Sequence, residues 1–194
     1  KGGEEHYNLI SALHKSMRGS DPDASLYWLY RMIEGGEDCR FILRRMIRFA
    51  SEDVGIADPF ALTLAMSAAQ AYDYIGPPEA HLCLAQLTVY LAAAPKSNAL
   101  YKAEKLVKQA IRNGSEPSVP YHLRNAPTGL MRELGYGHEY RYPHDFKGNF
   151  VDENYFPEGL ENSKYYEPGN NGREKQAAER LSQLWPRRYG VRKP

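Results

Sequence analysis

The chain has 194 residues, of which 42% are hydrophobic and 25% are charged, and its formal net charge is +1. This length suits one sizeable domain or two small ones, and the composition is ordinary for a soluble globular protein. No apolar run approaches the roughly 20 residues of a membrane-spanning helix, and no charged-then-apolar leader opens the chain, so we expect a cytoplasmic protein. Because the charge is nearly balanced, any nucleic-acid binding must depend on a local patch.

Hydrophobic periodicity predicts six helices before residue 115 and no strand of useful length, which indicates an all-α fold. The first helix is expected over residues 4–17, and the second starts at Asp21 and ends at Gly35. Periodicity places His14 on the polar side of the first helix. The apolar stripes of these two helices are predicted to be Leu9, Ile10, Leu13 and Met17, and Leu26, Leu29, Tyr30 and Ile33.

Residues 38–74 predict a helical hairpin. Apolar residues at i, i+3, i+4 and i+7 make its first helix a core helix, and they are Leu43, Met46, Ile47 and Ala50. Arg40, Arg44 and Arg48 step by four residues along an adjoining side of this helix, and we call them the arginine strip. Their guanidinium groups repel one another unless acidic groups face them. Asp58, followed by Pro59, predicts the start of the next helix.

The fifth and sixth helices are predicted from two further apolar patterns. The fifth has apolar residues on most sides and is expected to be the most buried helix; these residues are Leu82, Leu84, Leu87, Val89 and Leu91. Ser97 or Asn98 caps the sixth helix, which ends near Asn113. Its candidate packing residues are Leu100, Ala103, Leu106, Val107, Ala110 and Ile111.

The chain changes character after residue 115, where proline, glycine and tyrosine become frequent. This composition leaves room for a short helix over 128–134 and a terminal helix over 174–184. We expect residues 1–114 to form a helical core, and residues 115–194 to form an irregular wrapping segment and a terminal helix packed on the same domain. Burial of large aromatic side chains would order this segment; they are Tyr136, Tyr140, Tyr142, Phe146, Phe150, Tyr155 and Phe156.

No group of residues predicts catalysis, a cofactor or a metal site in this chain. The sequence contains no G-x-x-x-x-G-K-[ST] phosphate-binding motif. Cys39 and Cys83 lack the spacing of a zinc or redox site, so buried reduced thiols are the simpler interpretation. Two sets of possible metal ligands are interpreted as structural: Glu52, Asp53 and Asp58, and His138, His144 and Asp145.

The sixth helix offers an alternative function with a physical basis. It carries a single acid, Glu104, and four basic residues, which are Lys102, Lys105, Lys108 and Arg112. Contacts of such residues with phosphates release counterions and would give salt-dependent nucleic-acid binding. A solvated lysine-rich face is the competing interpretation, and the sequence leaves both open.

Four motifs follow one another along the chain: HYNLISALHKSMRGSDPD from His6, RFASEDVGIADP from Arg48, APKSN from Ala94 and YRYPHDF from Tyr140. Together they resemble the C-terminal region of the RarA/MgsA family, whose eukaryotic relative is the Werner-helicase-interacting protein. The chain begins with Lys1 rather than Met, so we expect it to be part of a longer protein.

The resemblance implies that the parent protein is an AAA+ ATPase, related to clamp-loader subunits, that acts in DNA replication, recombination and repair at stalled forks. It implies that this region is a collar-like helical bundle through which subunits assemble, with a homotetramer expected. ATP, Mg²⁺ and DNA would be ligands of the parent protein rather than of this chain. A single-stranded-DNA-binding protein and replication factors are the implied partners, and a nucleoid-associated location follows.

Assembly makes the arginine strip a candidate subunit interface, together with His14 and Arg18 of the first motif. Acids of a second copy could pair with the strip by bidentate hydrogen bonds, and the candidates are Glu34, Glu37, Glu52 and Asp53. The neighbouring helix, rich in Ala, Leu and Met, would allow subunits to approach closely.

Overall fold

The computed structural model describes residues 2–114 and 117–190, and every regular element within these ranges is helical. The all-α prediction is therefore confirmed. Six helices precede residue 115: α1 (Gly2–Arg18), α2 (Pro22–Glu34), α3 (Cys39–Phe49), α4 (Phe60–Ile75), α5 (His81–Ala93) and α6 (Ala99–Asn113). A π-helical turn (Ala50–Val54) and a 3₁₀ turn (Gly55–Ala57) join α3 to α4.

Three short helices lie in the described part of the chain after residue 116: α7 (Gly129–Glu133), α8 (Glu174–Leu184) and α9 (Pro186–Tyr189). They are accompanied by 3₁₀ turns at Tyr121–Leu123, Pro143–Asp145 and Lys147–Asn149. The helices predicted near 128–134 and over 174–184 are thus both present. Thr128 caps α7, because its side chain accepts from the backbone N–H of Met131.

Acidic caps start the helices of the first half where the sequence predicts them. Asp21 Oδ1 accepts from the backbone N–H of Ala24 at 2.9 Å, and Asp58 Oδ1 accepts from that of Phe60 at 3.2 Å. These bonds satisfy donors that have no partner inside the first turn. At the other end of α2, Gly36 adopts φ +78°, a left-handed conformation that stops the helix.

The chain divides into two compact units. We call Lys1–Ala103 with Pro168–Ala177 the helical unit, and Glu104–Glu167 with Ala178–Pro194 the aromatic unit. The boundaries fall inside α6 and inside α8. Residues 1, 115, 116 and 191–194 lie outside the described residues.

The core of the helical unit is formed where α2 packs on α1 and α5, and α4 packs on α3 and α5. Its largest fully buried side chains are Phe49, Leu13, Met17, Leu29, Met32, Ile42, Met46, Leu84, Leu87 and Leu91. The buried stripe of α2 is Ser25, Leu29 and Met32, so the prediction for Tyr30 is wrong. Tyr30 is 37% exposed, because each residue of an α-helix turns by about 100° and Tyr30 follows Leu29 directly.

Helix α5 is buried on one side only, which corrects the expectation that apolar residues on most sides make it the most buried helix. Leu84, Leu87 and Leu91 are fully buried, whereas Leu82 is 72% exposed and Val89 is 39% exposed. The buried leucines follow helical spacing towards α2 and α4. The exposed apolar residues therefore have no covering helix among the described residues.

Residues 168–177 belong to the helical unit although they follow the aromatic segment in sequence. Asn171 Nδ2 donates to the backbone carbonyl of Lys96 at 2.9 Å, and the backbone N–H of Arg173 donates to that of Ala57 at 2.8 Å. Between them, Gly172 has φ +54°, and a Cβ placed there would lie 2.2 Å from the Ala57 carbonyl oxygen. Only glycine fits this close approach.

In the aromatic unit, side chains pack around Trp185. The ring of Phe150 lies 5.3 Å from that of Trp185, and the Arg188 guanidinium lies 5.0 Å from it. The expectation that the named aromatic residues are buried is wrong for four of them, since Tyr140, Tyr142, Phe146 and Tyr155 are exposed. Extended and 3₁₀ backbone turns successive side chains to opposite sides, so a single covering surface reaches only some of them.

The Gly172 contact generates a first prediction. Gly172→Ala should lower the free energy of unfolding by about 2 kcal/mol or more, because the new Cβ is strained at positive φ and collides with the Ala57 carbonyl. The matched control is Gly159→Ala, where φ is +86° but nothing lies within 4 Å of the added Cβ.

Urea denaturation followed by circular dichroism measures both variants. We expect Gly159→Ala to lower the free energy of unfolding by only about 1 kcal/mol, which is the cost of the left-handed conformation. Equal losses in the two variants would contradict the close approach of residues 168–177 to the Ala57 carbonyl.

Candidate interface surfaces

The arginine strip is neutralised by acids of the same chain. Arg40 Nη2 lies 2.9 Å from Asp73 Oδ1 of α4, and the two side chains are largely exposed. Arg44 Nη2 lies 3.8 Å from an Asp38 oxygen, and Arg48 Nε lies 2.7 Å from Glu52 Oε2. The repulsion expected along the strip is thus relieved within one subunit. Exposed pairs of this kind contribute about 0–1 kcal/mol each.

Three of the acids expected to come from a second copy already have partners in their own chain. Glu52 is bonded to Arg48, Asp53 is bonded to Arg18, and Glu37 is bonded to the His6 ring. Glu34, exposed at the end of α2, makes no ion pair with any residue that the structure describes. The assignment of the strip to an interface therefore stays a prediction, and its proposed acidic partners are less available than the sequence suggested.

Arg18 and Asp53 form a bidentate pair that joins the end of α1 to the π-helical turn. Arg18 Nε lies 2.5 Å from Asp53 Oδ1, and Nη2 lies 3.2 Å from Oδ2. The hydrogen bond to Asp53 raises the pKa of Arg18. Asp53 is buried, and its backbone carbonyl accepts from the N–H of Ser97 at 2.8 Å. This acid therefore has a structural role, as its position at a helix end predicts.

His14 is buried, so the prediction that it faces the polar side of α1 is wrong. Its ring lies 5.5 Å from that of Phe49 in an edge-to-face contact, and its Nε2 has no hydrogen-bond partner among the described residues. His14 follows Ile10 by four residues and precedes Met17 by three, which is the spacing of the buried face. The pKa of His14 is lowered to about 4, mainly because the ring is buried and to a smaller extent because of the positive charge of Arg45.

The outer faces of α4 and α5 are further exposed surfaces. Sequence reasoning named the helix rich in Ala, Leu and Met, which is α4, but it missed α5. Asp73 is the only Asp, Glu, Lys or Arg in either helix, and Arg40 neutralises it. We call these surfaces the charge-free faces. Their exposed residues include Phe60, Leu62, Met66, Tyr74, Leu82, Gln86 and Val89. The signal was present in the sequence as two helical stretches, 60–75 and 81–93, that share a single charged carboxylate.

Helix α6 is amphipathic, and much of its apolar face is exposed. Ala99 is buried, but Leu106 and Ile111 are 47% and 66% exposed. Outside this face, the predicted basic residues Lys102, Lys105, Lys108 and Arg112 are all exposed, and Lys102 and Lys108 lie at its two borders by helical periodicity. Lys108 pairs with Glu104, four residues earlier, which leaves a net positive helix.

The remaining candidate residues have structural contacts. Tyr90 donates its hydroxyl proton to Asp58 Oδ2 at 2.5 Å, and desolvation together with this bond raises the pKa of Tyr90 to about 12. His144 contacts the Tyr142 ring. Within residues 2–114 and 117–190, no group of three or more His, Cys, Asp or Glu side chains could hold a metal ion. Both cysteines are free, with Cys39 buried and Cys83 half-buried.

Comparison with known proteins assigns the chain to a family. The family described as "MgsA AAA+ ATPase C terminal" matches residues 19–185. The chain belongs to this family. None of the helices in the described ranges is long and apolar enough to cross a membrane.

Two bacterial relatives carry a name that refers to replication and recombination, and a eukaryotic relative is named as an ATPase. Replication-associated recombination protein A of Haemophilus influenzae is 49% identical over 185 residues, which are 95% of this chain and 42% of that protein. Its Escherichia coli K12 counterpart is 49% identical over 94% of this chain and 41% of its own length. ATPase WRNIP1 of Dictyostelium discoideum is 47% identical over 86% of this chain and 19% of its own. The chain thus spans about two fifths of the length of the two bacterial relatives.

The buried histidine generates a second prediction. His14 takes up a proton near pH 6.5 in the unfolded chain and near pH 4 in the folded one. Between these values the unfolded state binds more protons, so the free energy of unfolding falls as the pH is lowered. The loss between pH 7 and pH 4.5 should be about 2–3 kcal/mol.

The variant His14→Phe keeps an aromatic contact with Phe49 and removes the titrating group. Urea midpoints measured from pH 7 to pH 4.5 should fall less steeply for this variant than for the wild type. Parallel pH profiles for the two proteins would show that His14 is not kept neutral by burial.

Proposed function

We propose that this chain is the oligomerisation domain of a DNA-dependent AAA+ ATPase that acts in replication, recombination and repair, and that it carries no catalysis of its own. The observation that supports assembly most directly is the pair of charge-free faces on α4 and α5. Depletion of charged residues, with large apolar side chains exposed, is what distinguishes the centre of a protein interface from ordinary surface. The names of the relatives support the cellular process.

The magnitude of the exposed apolar area favours a stable contact. Leu62, Met66 and Leu82 are each 43–72% exposed. Full burial of one such side chain contributes about 1.5–3 kcal/mol, and a two-fold contact uses every residue twice. Several such residues together offset part of the entropy lost on association.

Arg40 of the arginine strip lies at the border of this surface rather than at its centre. Arg40 pairs with Asp73 of α4, and its guanidinium lies 5.8 Å from the centre of the Tyr72 ring. Polar, solvent-accessible residues typically surround an apolar interface centre. In this arrangement the strip forms a charged rim, whose contribution to association depends on salt concentration.

ATP and Mg²⁺ are assigned to the parent protein, because the chain contains no G-x-x-x-x-G-K-[ST] motif. DNA is assigned to the parent protein on the family resemblance. A homotetramer is the proposed assembly, with a single-stranded-DNA-binding protein and replication factors as partners of the parent. A cytoplasmic, nucleoid-associated location accompanies this role. The collar-like arrangement of clamp-loader subunits is the architectural part of the proposal.

The third prediction tests assembly through the charge-free faces. Multi-angle light scattering should give the wild-type chain a mass that is a multiple of 22.1 kDa. Met66→Glu combined with Leu82→Glu should lower that mass, because each substitution places a charge in an apolar contact. Both positions are exposed in the single chain, so the fold should persist.

Leu130→Glu on α7 is the matched control, since Leu130 is equally apolar and 66% exposed. It should assemble like the wild type. Arg44→Glu with Arg48→Glu should weaken assembly at low salt more than at high salt, as expected for a rim. A wild-type chain that stays monomeric at high concentration would refute the proposed function.

Helix α6 supports a second candidate function, contact with nucleic acid. Lys102, Lys105 and Arg112 are exposed and make no ion pair within the described residues.

A fourth prediction follows for binding of a labelled oligo-dT strand. Replacing the three residues by Gln should reduce the slope of log K against log salt by about 0.7 for each phosphate that the variant no longer binds. Lys15→Gln on α1 is the control, and an unchanged slope in the triple variant would exclude this face as the DNA-binding surface.

A further inference from the structure

An open groove lies between α1 and α2 in the helical unit, outside the surfaces already described. Its volume is about 990 Å³, and its lining includes Leu9, Leu26, Tyr27, Tyr30, Glu34 and Glu37. We call it the α1–α2 groove. Tyr27 is 57% exposed and Tyr30 is 37% exposed, so both rings present apolar surface to solvent. Aromatic residues of this kind are enriched at protein interfaces.

The rim of the groove is acidic. Glu5, Glu34 and Glu37 line it, and Arg31 is the only Lys or Arg among the lining residues. Arg31 lies 3.7 Å from Glu5, and Glu37 is bonded to His6. Glu34 is left without an ion pair in the described part of the chain. An occupant of this groove must therefore bring apolar side chains and positive charge together.

Helix α6 has both of these properties. Leu106 and Ile111 are exposed on its apolar face. Val107 and Ile111, four residues apart, have the spacing that a helix uses to enter a groove. Lys102 and Lys108 border that face on its two sides by helical periodicity. The helix carries four basic residues against one acid, whereas the groove carries three acids against one arginine.

We propose that α6 of one copy docks into the α1–α2 groove of a second copy. This inference rests on the proposed function, which it extends by naming a second contact of the assembly. Apolar residues of α6 cover Tyr27 and Tyr30, and the flanking lysines meet the acidic rim. The contact joins two different surfaces, so every copy gives a helix and receives one.

Pairing of α6 with α6 of another copy is a weaker alternative on electrostatic grounds. Two helices with four basic residues each would bring like charges together, which opposes association. The groove instead supplies opposite charge at its rim. Charge complementarity therefore selects the groove over a second α6.

Two variants of the full chain test the contact. The groove variant combines Tyr27→Arg with Glu34→Lys, and the helix variant combines Leu106→Glu with Ile111→Glu. All four positions are exposed, so the single chain should keep its helical content. Asp23→Lys on α2 and Gln109→Glu on α6 are matched controls, because they change charge outside the groove and away from the apolar face of α6.

Light scattering at equal concentration gives the readout. Each variant should have a weight-average mass about twofold below that of the wild type, while both controls assemble normally. An equimolar mixture of the two variants should regain part of the mass, because the intact helix of one meets the intact groove of the other. Each variant measured separately at the same total concentration should keep its lower mass.

Three outcomes overturn the inference. A helix variant that loses mass while the groove variant does not would indicate α6–α6 pairing. Wild-type masses for both variants would show that assembly uses other surfaces, such as the charge-free faces. A mixture with no gain over the separate variants would show that the two surfaces do not meet. A monomeric wild type would instead refute the proposed function itself.

Discussion

The Asp53 carboxylate lies where three parts of the helical unit meet, and their arrangement depends on it. Its side chain holds the end of α1 through Arg18, and its backbone carbonyl holds the start of α6 through the Ser97 N–H. The acid itself is carried by the π-helical turn after α3. A buried carboxylate is stable only while charged and polar partners satisfy it. These contacts hold together α1, the turn after α3 and Ser97, which lies just before α6, and the apolar core fills the space between the helices.

The distribution of charge follows from the same need for partners. The three arginines of the arginine strip are matched by Asp73, Asp38 and Glu52, all within the chain. The neutralised Asp73 lies at the edge of α4. Apart from this residue, the outer faces of α4 and α5 carry no Asp, Glu, Lys or Arg. A surface of this kind makes few favourable interactions with water, so covering it with a partner costs little desolvation free energy. The paired charges at its border limit which orientations of a partner are favourable.

Helix positions were predictable because they depend on local features that the sequence displays. Asp21 and Asp58 cap helices, glycine at residue 36 stops one, and α8 occupies the expected residues 174–184. Burial was less predictable, because periodicity defines a face but does not say which neighbour covers it. Leu82 was therefore misplaced. His14 is different, because it shares the spacing of Ile10 and Met17 on the buried face, and its burial could have been predicted from that spacing. The irregular segment has no period at all, so its exposed tyrosines could not be separated from its packed ones. Gly172 meets the Ala57 carbonyl across more than half of the chain, a separation in sequence that no local pattern spans.

The two proposed contacts together limit the symmetry of the assembly. If the charge-free faces meet across a two-fold axis, each copy contacts an identical surface on one neighbour. The α6–groove contact uses different surfaces, and it also closes around a two-fold axis when both copies exchange helices reciprocally. Two such axes in one particle generate a dimer of dimers, which is the commonest route to a closed tetramer. Disrupting either contact alone then leaves a dimer rather than a monomer. In a dimer of dimers built in this way, the fourfold assembly would need both proposed contacts.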